Sequence, residues 1–503
     1  MRRSVQKKKK PSDLFPCTIE ELKKQLSTML QDSPDLNFST YTLGQKRVIV
    51  FYFTYQINKE QLHRSILDTL LASQDKTWDA KMIQNEVPLA SSTLHDKLVS
   101  VAKELIQGGV GIYVEEDDQP ITYYIPEQAR RAVSRAENES LVLGPQIAFT
   151  ESMVTNLNII RWRLDTPEFK TEKLIIGKEI PTEVRIAYLT NIANEDLINT
   201  VRQRLEDLDV NDVMDSNVVA QLIEDRSTSI FPQLLTTELP DRFCNSLING
   251  KVGIMVDKSP TVLITPATLF SFLESTEDIY FRWNIGTFLR IMRLAAMFLS
   301  ILLTPIYVAA LSFHVEVIPS SLLVSLGQSR ANVPFPPVFE ALLLELLIEL
   351  LREAGARLPT KVGQTMGIVG GIVLGQAAVK AGFTSNILII IVALSALASF
   401  TAPSYMMGGA IRVIRFPMIV LSGLWGLLGI FLGLSFLIIH LLKVSSLGTP
   451  YLSPLYPFHF ADLDNSIIRL PWSRANRRPT VNETKKPVKF SQKEAKKKRD
   501  IDE

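Results

Sequence analysis

Several features that would define a function are scarce or missing in this chain of 503 residues. It has two cysteines, Cys17 and Cys244, far apart in the sequence. Two cysteines make neither a disulfide framework nor a four-ligand zinc site, so free reduced thiols are expected and no metal centre is. The polar parts of the chain lack glycine-rich phosphate loops, the H-E-x-x-H zinc motif and the G-x-S-x-G nucleophile motif. Gly108-Gly109-Val110-Gly111 enters a strand instead of leaving one, which reads as a turn. Glu224-Asp225-Arg226 reads as a solvated helix end or a structural ion pair. Nothing here points to an enzyme or a cofactor. A charge excess is missing too: 54 Lys and Arg stand against 52 Asp and Glu, a net charge of +2, whereas a dedicated nucleic-acid binder is strongly basic. Met1–Lys10 carries six basic residues and no acid, but no apolar stretch follows as in a signal peptide, so this start is expected on the cytoplasmic side.

What the chain does have is segregated. From Gly286 to Lys443 there are 15 Asp, Glu, Lys or Arg in 158 residues, about one in ten, against about one in four elsewhere. The expected organisation is a basic start (1–20), two α/β subdomains (21–135 and 141–275), a helical membrane domain of four to six spans (286–443) and a cytoplasmic basic tail (444–503). In the first subdomain Arg47–Thr54 reads as a buried strand, Asn58 as the cap of a helix carrying Leu62, Ile66 and Leu70, and Val110–Glu115 with Ile121–Ile125 as a hairpin. In the second, Lys173–Gly177, Val184–Leu189, Val252–Val256 and Val262–Thr265 read as strands and Asn194–Leu208 as a helix. The alternation predicts α/β subdomains with mixed strand pairing.

Five apolar runs follow: Thr287–Phe313, Pro334–Leu351, Val362–Val379, Thr384–Ala402 and Ile411–Leu442. Arg290 and Arg293 near the first start are expected to snorkel to the cytoplasmic interface. The fifth run, about 48 Å long as one helix, exceeds one straight span; Pro417 and Gly423, Gly426, Gly429 and Gly433 are where it can break. Arg352, Arg357 and Lys361 after the second run, and Arg412 and Arg415, assigned to the loop that enters the fifth, then fall on the cytoplasmic side. The tail Ile468–Glu503, with 12 basic against 5 acidic residues, belongs there as well, which requires the fifth run to cross twice or one run not to cross. The tail either binds anionic lipid or is merely solvated.

Two patterns in the apolar block bear on mechanism. Glu345, Glu349 and Glu353 fall within 80° on one helix face, with Glu340 off the stripe. Each carboxylate at bilayer depth costs about 2.5–3.5 kcal/mol, so these face water, a basic partner or copies of themselves. They line a cation pathway, or they sit on an interfacial helix and pair locally with Arg352 and Arg357. Gly363, Gly367, Gly371 and Gly375 repeat every fourth residue, a ridge for close helix approach within one subunit or between subunits. His314 and Glu316 read as an interface loop, not a metal site.

A set of longer motifs carries a family resemblance: T-N-L-N-I-I-R-W-R (155–163), R-I-A-Y-L-T-N-I-A-N (185–194), S-I-F-P-Q-L-L-T-T-E-L-P-D (229–241), H-V-E-V-I-P (314–319), V-P-F-P-P-V-F-E (333–340), L-R-E-A-G-A-R-L-P (351–359) and I-V-G-G-I-V-L-G-Q-A-A-V (368–379). With these the chain resembles A subunits of the GerA family of spore germinant receptors. Departures fall at Leu239, at Asp257-Lys258 where the family has D-G, and at Ser385-Asn386 where it has S-P. The resemblance implies a multi-pass protein of the spore inner membrane. It implies a transporter-like B subunit and a lipoprotein C subunit as partners. It also implies a homo-oligomer forming a nutrient-gated cation channel, with Glu345, Glu349 and Glu353 as candidate pore-lining residues.

Overall fold

The computed structural model describes residues 18–44, 46–72, 78–127, 136, 139, 141–359, 371, 373, 375–471 and 474–491. They form two units. One holds the described residues up to Ile223 with Thr236–Pro266 and Arg477–Ser491; the other holds Glu224–Leu235 and Ala267–Asn476.

The first unit contains two α/β subdomains built to one plan. After α1 (Ile19–Met29) come β1 (Leu36–Leu43) and β2 (Lys46–Phe53). Asn58 then accepts the Gln61 amide at 3.0 Å and starts α2 (Lys59–Gln61), which runs through a π-helical segment (Leu62–Leu67) into α3 (Asp68–Ala72). α4 (Ala80–Glu86), β3 (Ser92–Leu94), α5 (Leu98–Ile106), β4 (Gly109–Val114) and β5 (Ile121–Tyr124) complete the sheet, in the order β1-β2-β4-β5-β3. Leu62, Ile66 and Ile83 pack on Val48, Val50, Val110 and Ile112, while the alternate residues Ile49, Phe51 and Phe53 are buried as well, so β2 is covered on both faces. That double covering is why its sequence is a continuous apolar run.

The second subdomain repeats this. It comprises α6 (Met153–Arg163), β6 (Phe169–Ile176), β7 (Thr182–Leu189), α7 (Glu195–Glu206), α8 (Ser216–Ile223), β8 (Leu235–Thr237), α9 (Pro240–Ile248), β9 (Val252–Val256) and β10 (Val262–Thr265). Its order, β6-β7-β9-β10-β8, matches the first sheet position for position. Both turns between the paired central strands hold a non-glycine residue at φ +67°, Glu116 in one and Lys258 in the other. The turn after Asp257 is thus left-handed, a conformation that Lys258 adopts at some strain. The expected mixed pairing is corrected: every described register, β1–β2, β2–β4, β4–β5 and β3–β5 and their counterparts β6–β7, β7–β9 and β9–β10, is antiparallel. Tight turns such as Leu43–Lys46 force neighbours to run oppositely, and the helices connect strands that are not parallel neighbours.

The 155–163 motif explains how the subdomains join. Asn156 bonds both Thr150 backbone groups, Asn158 donates to the Tyr55 carbonyl at 2.8 Å, and Arg163 pairs with Asp241. The buried Arg161 guanidinium lies 5.0 Å from the Phe53 ring and 4.7 Å from the Phe169 ring, and donates to the Tyr55 hydroxyl. Beside it Asp35 accepts two bonds from Arg185, at 2.8 and 3.2 Å. Arg185 also donates to Glu183; burial pushes that carboxyl up, but its bonds to Lys173 and Arg185 outweigh this and hold it low.

Part of the tail belongs to this unit. Arg478 donates to the carbonyls of Ile248, Lys486 and Val488, Asn482 to that of Asn249, and the Lys485 amide to that of Ile192. A merely solvated tail is therefore corrected for residues 477–491: the buried Arg478 fixes them by its fork of donors.

The second unit is helical: α10 (Trp283–Ser312), α11 (Ser320–Arg330), α12 (Pro337–Arg357), α13 (Gly375–Lys380), α14 (Asn386–Ser399) and α15 (Tyr405–Lys443). Two of these, α10 and α15, are long and apolar enough to cross a membrane. α10, about 45 Å long, matches a bilayer with its headgroup layers. α15 is not one straight rod. Gly426 takes φ +61° and ψ −139°, and the chain reverses there. A Cβ on Gly429 would run into the Leu421 carbonyl, and one on Gly433 into the Met418 sulfur. Residues eight and fifteen apart along a straight helix are about 12 and 22 Å from each other, so α15 is a hairpin of two antiparallel legs. The fifth run thus folds back on itself at one of the glycines that offered a break.

Candidate functional site

The second unit buries polar groups where its helices meet. α12 supplies Glu345, which is 4% exposed. Its carboxylate accepts from Arg415 Nη1 at 2.6 Å and from the Thr304 hydroxyl at 3.0 Å. Arg415 Nη2 reaches the Ser300 hydroxyl at 2.5 Å and the Ser395 carbonyl at 3.2 Å. One ion pair thus ties together α10, α12, α14 and the first leg of α15. Small hydroxyl residues at 300, 304 and 395 make this possible, leaving room for two long charged side chains and supplying donors or acceptors for them.

A second cluster lies further towards the start of α12. Glu340, also buried, accepts from the Thr384 hydroxyl at 3.0 Å and from the Ser385 amide at 2.5 Å, with Arg330 Nη2 3.6 Å away. Ser385 is the cap of α14, accepting from the Leu388 amide, and its hydroxyl lies 3.2 Å from that of Tyr307. The Asn386 amide, at the first residue of α14, donates to the Ser329 hydroxyl.

The rest of the stripe is more open. Glu349 pairs with Arg352 on its own helix and has Arg412 at 3.8 Å; Glu353 pairs with Arg357 at 2.6 Å near the helix end, with its side chain 56% exposed. The stripe therefore grades from a buried, fully compensated carboxylate to a solvated one. In the glycine ridge, Gly363 and Gly367 lie outside the described residues. A Cβ on Gly371 or Gly375 would meet nothing within 4 Å, so this end of the ridge has no described partner in the chain.

Some charges sit elsewhere than the sequence suggested. Arg290 and Arg293 do not snorkel: both turn inward to the fully buried Asp278, Arg293 at 2.8 Å and Arg290 at 3.1 Å. A carboxylate in reach compensates them more fully than the interface does. Arg352 and Arg357 lie in α12, and Arg412 and Arg415 in the first leg of α15, not in loops. Arg415, Ser300, Thr304 and Ser395 were missed as site residues. Arg415 had left a signal, a cation four residues inside an apolar run. Glu224 and Asp225 are structural: Glu224 accepts the Gln233 amide, and Asp225 the Ser445 hydroxyl and the Gly448 amide. Among the described residues no His, Cys, Asp and Glu cluster could hold a metal.

Comparison with known proteins gives this geometry its context. Residues 24–481 match the family model described as Bacillus/Clostridium GerA spore germination protein. The chain belongs to the GerA family. Spore germination protein GerQA of Bacillus cereus is 41% identical over 490 residues, covering 97% of this chain and 98% of that one. Spore germination protein A1 of Bacillus subtilis (strain 168) is 38% identical, covering 87% and 91%. Among the GerA relatives is an uncharacterized membrane protein, YfkQ of the same organism, 32% identical over 92% of this chain and 90% of that one. The solved N-terminal domain of the A subunit of the Bacillus megaterium spore germinant receptor GerK3 aligns with a TM-score of 0.40 at 24% identity, covering 51% of this chain and 97% of that one.

Proposed function

We propose that the chain is the A-type subunit of a nutrient-responsive germinant receptor, an integral protein of the spore inner membrane that works with B-type and C-type subunits. The observation that carries the receptor assignment is the family match over 24–481 with full-length relatives named for spore germination. Two apolar helices, one of them a hairpin, support the membrane reading.

We further propose that copies of the chain assemble into a cation pathway lined by the Glu345, Glu349 and Glu353 stripe, with the ridge Gly363, Gly367, Gly371 and Gly375 at the seam. Support comes from the gradient along the stripe and from the open space over Gly371 and Gly375. In this reading Glu349 and Glu353 meet ions, because their partners are exposed or share their helix and can swing away, while Glu345 is held by Arg415. Replacing Glu349 and Glu353 with Gln in spores is expected to slow cation release on nutrient addition without lowering the amount of protein. Unchanged release with normal protein levels refutes the pathway.

The internal pairing of Glu345 with Arg415 favours a second reading, a non-conducting scaffold that relays a partner's signal. Purified receptor that never conducts in a bilayer with nutrient and all partner subunits would select it.

A further inference from the structure

Each α/β sheet ends in two edge strands, and three of the four are protected against pairing with another chain. β3 and β8 are three residues long, and β6 carries Lys170, Glu172 and Lys173. β1 has neither device. Its eight residues, Leu36–Leu43, include no charge, proline or glycine. All eight pair with β2 in unbroken register, so no bulge twists the edge away. The Thr54 amide donates to the Asp35 carbonyl at 3.1 Å, which continues the β1–β2 ladder and fixes its phase. The odd-numbered residues of β1 therefore bond β2, while Phe38, Thr40 and Thr42 turn their amides and carbonyls outward. Among the described residues these outward groups have no backbone partner.

A regular, uncharged edge takes another extended chain, and β1 itself fits it. Antiparallel pairing sets outward residues against outward residues. A two-fold axis at Ser39 does this, placing Phe38 against Thr40, Asn37 against Tyr41 and Leu36 against Thr42 of the other copy. Ser39 then meets its own counterpart in a non-hydrogen-bonded pair, where Cα atoms approach to about 4.5 Å and a small side chain is needed. The charges beyond the strand agree. Lys46 at the hairpin tip and the exposed Asp32 in the turn before β1 lie at opposite ends of the edge, and neither makes an ion pair among the described residues. The two-fold pairing brings the Lys46 end of each copy beside the Asp32 end of the other.

We infer that two copies of the chain join edge to edge through β1, making one continuous sheet held by about six backbone hydrogen bonds. The contact lies in the α/β unit and does not rest on the cation-pathway reading. The test is disulfide cross-linking of the full chain in its membrane, in a Cys17→Ala background where the remaining Cys244 is buried. Ser39→Cys is expected to give a covalent dimer on mild oxidation, since the Cα separation suits a disulfide. Lys170→Cys on the β6 edge is expected to stay monomeric. Adding Thr40→Pro removes an outward amide and no β1–β2 bond, and is expected to cut the Ser39→Cys dimer about tenfold. Adding Lys46→Glu is expected to cut it about threefold. The interface is overturned if Ser39→Cys stays monomeric, if Lys170→Cys cross-links as well, or if Thr40→Pro leaves the yield unchanged. Cross-linking of Ser39→Cys only to a different protein also overturns it, and makes the edge a site for a partner's strand. Should Thr40→Pro lower the amount of protein in the membrane, Lys46→Glu decides in its place, and an unchanged yield overturns the interface.

Discussion

A carboxylate on an apolar helix has to find a counter-charge, and for Glu345 it is Arg415, seventy residues on. Removing one partner leaves the other charged and buried. Glu345→Gln or Arg415→Gln alone should cost about 3–5 kcal/mol, whereas Glu345→Leu with Arg415→Met should cost much less. Thermal unfolding of the full chain in detergent checks the ranking; a double variant as unstable as either single one refutes the pair as a structural tie. The acidic stripe was legible from spacing alone, because a helical period fixes which residues share a face. Its partners were not, since nothing local to α12 says which side chain of a helix seventy residues away arrives opposite. Cys244 shows the same division. It was expected to be a free thiol, and it is, but only its burial on the inner side of α9 pushes its pKa up to about 12 from 9.0. Folding therefore disfavours the thiolate. The stability this contributes is full below pH 9.0 and lost as pH rises towards 12. In a Cys17→Ala background, maleimide is expected to leave Cys244 unmodified at pH 8 until the protein is denatured; rapid labelling of the native chain contradicts its burial.

At the scale of elements, most central strands and two of the helices of the α/β half followed from apolar runs and caps, whereas α1, α4, α5, α6, α8 and α9 were not foreseen. β9 and β10 fall where the sequence put them, and Asn58 and Asn194 cap the helices they were expected to cap. β1, β3 and β8 were not foreseen. As strands at or near sheet edges they carry polar residues, and their pairing, not their composition, defines them. The fifth apolar run shows the limit most clearly. Its length demanded a break, and four glycines and a proline offered places for one, yet only Gly426 has the left-handed backbone that reverses the chain. There a Cβ would stand 2.9 Å from both Phe313 and His314. The hairpin predicts that Met418→Cys and Gly433→Cys cross-link on mild oxidation. A straight helix holds them about 22 Å apart and gives no cross-link.

At the scale of the whole molecule, one chain carries a duplicated α/β plan and a helical unit, and residues 477–491 return to the second α/β subdomain. Arg478 is the residue that holds them. Arg478→Ala should cost about 2–3 kcal/mol, since a charged donor leaves three carbonyls, and should expose this segment first in limited proteolysis. Unaltered protection of residues 477–491 would show that the segment is held by something else. The duplication was invisible in the sequence, because strand order is a property of pairing and the two halves reach it with different side chains. The sequence by itself determined the division into polar and apolar halves, most central strands, the carboxylate stripe and the membership of the GerA family. All of these are recorded in local composition, periodicity and contiguous motifs. Only the tertiary structure decided that both sheets are antiparallel, that α15 turns back at Gly426, that Arg290 and Arg293 face Asp278, and that Arg415 neutralises Glu345. Each of these depends on which distant group occupies the other side of a contact, and a desolvated charge or a crowded backbone has its energy set there.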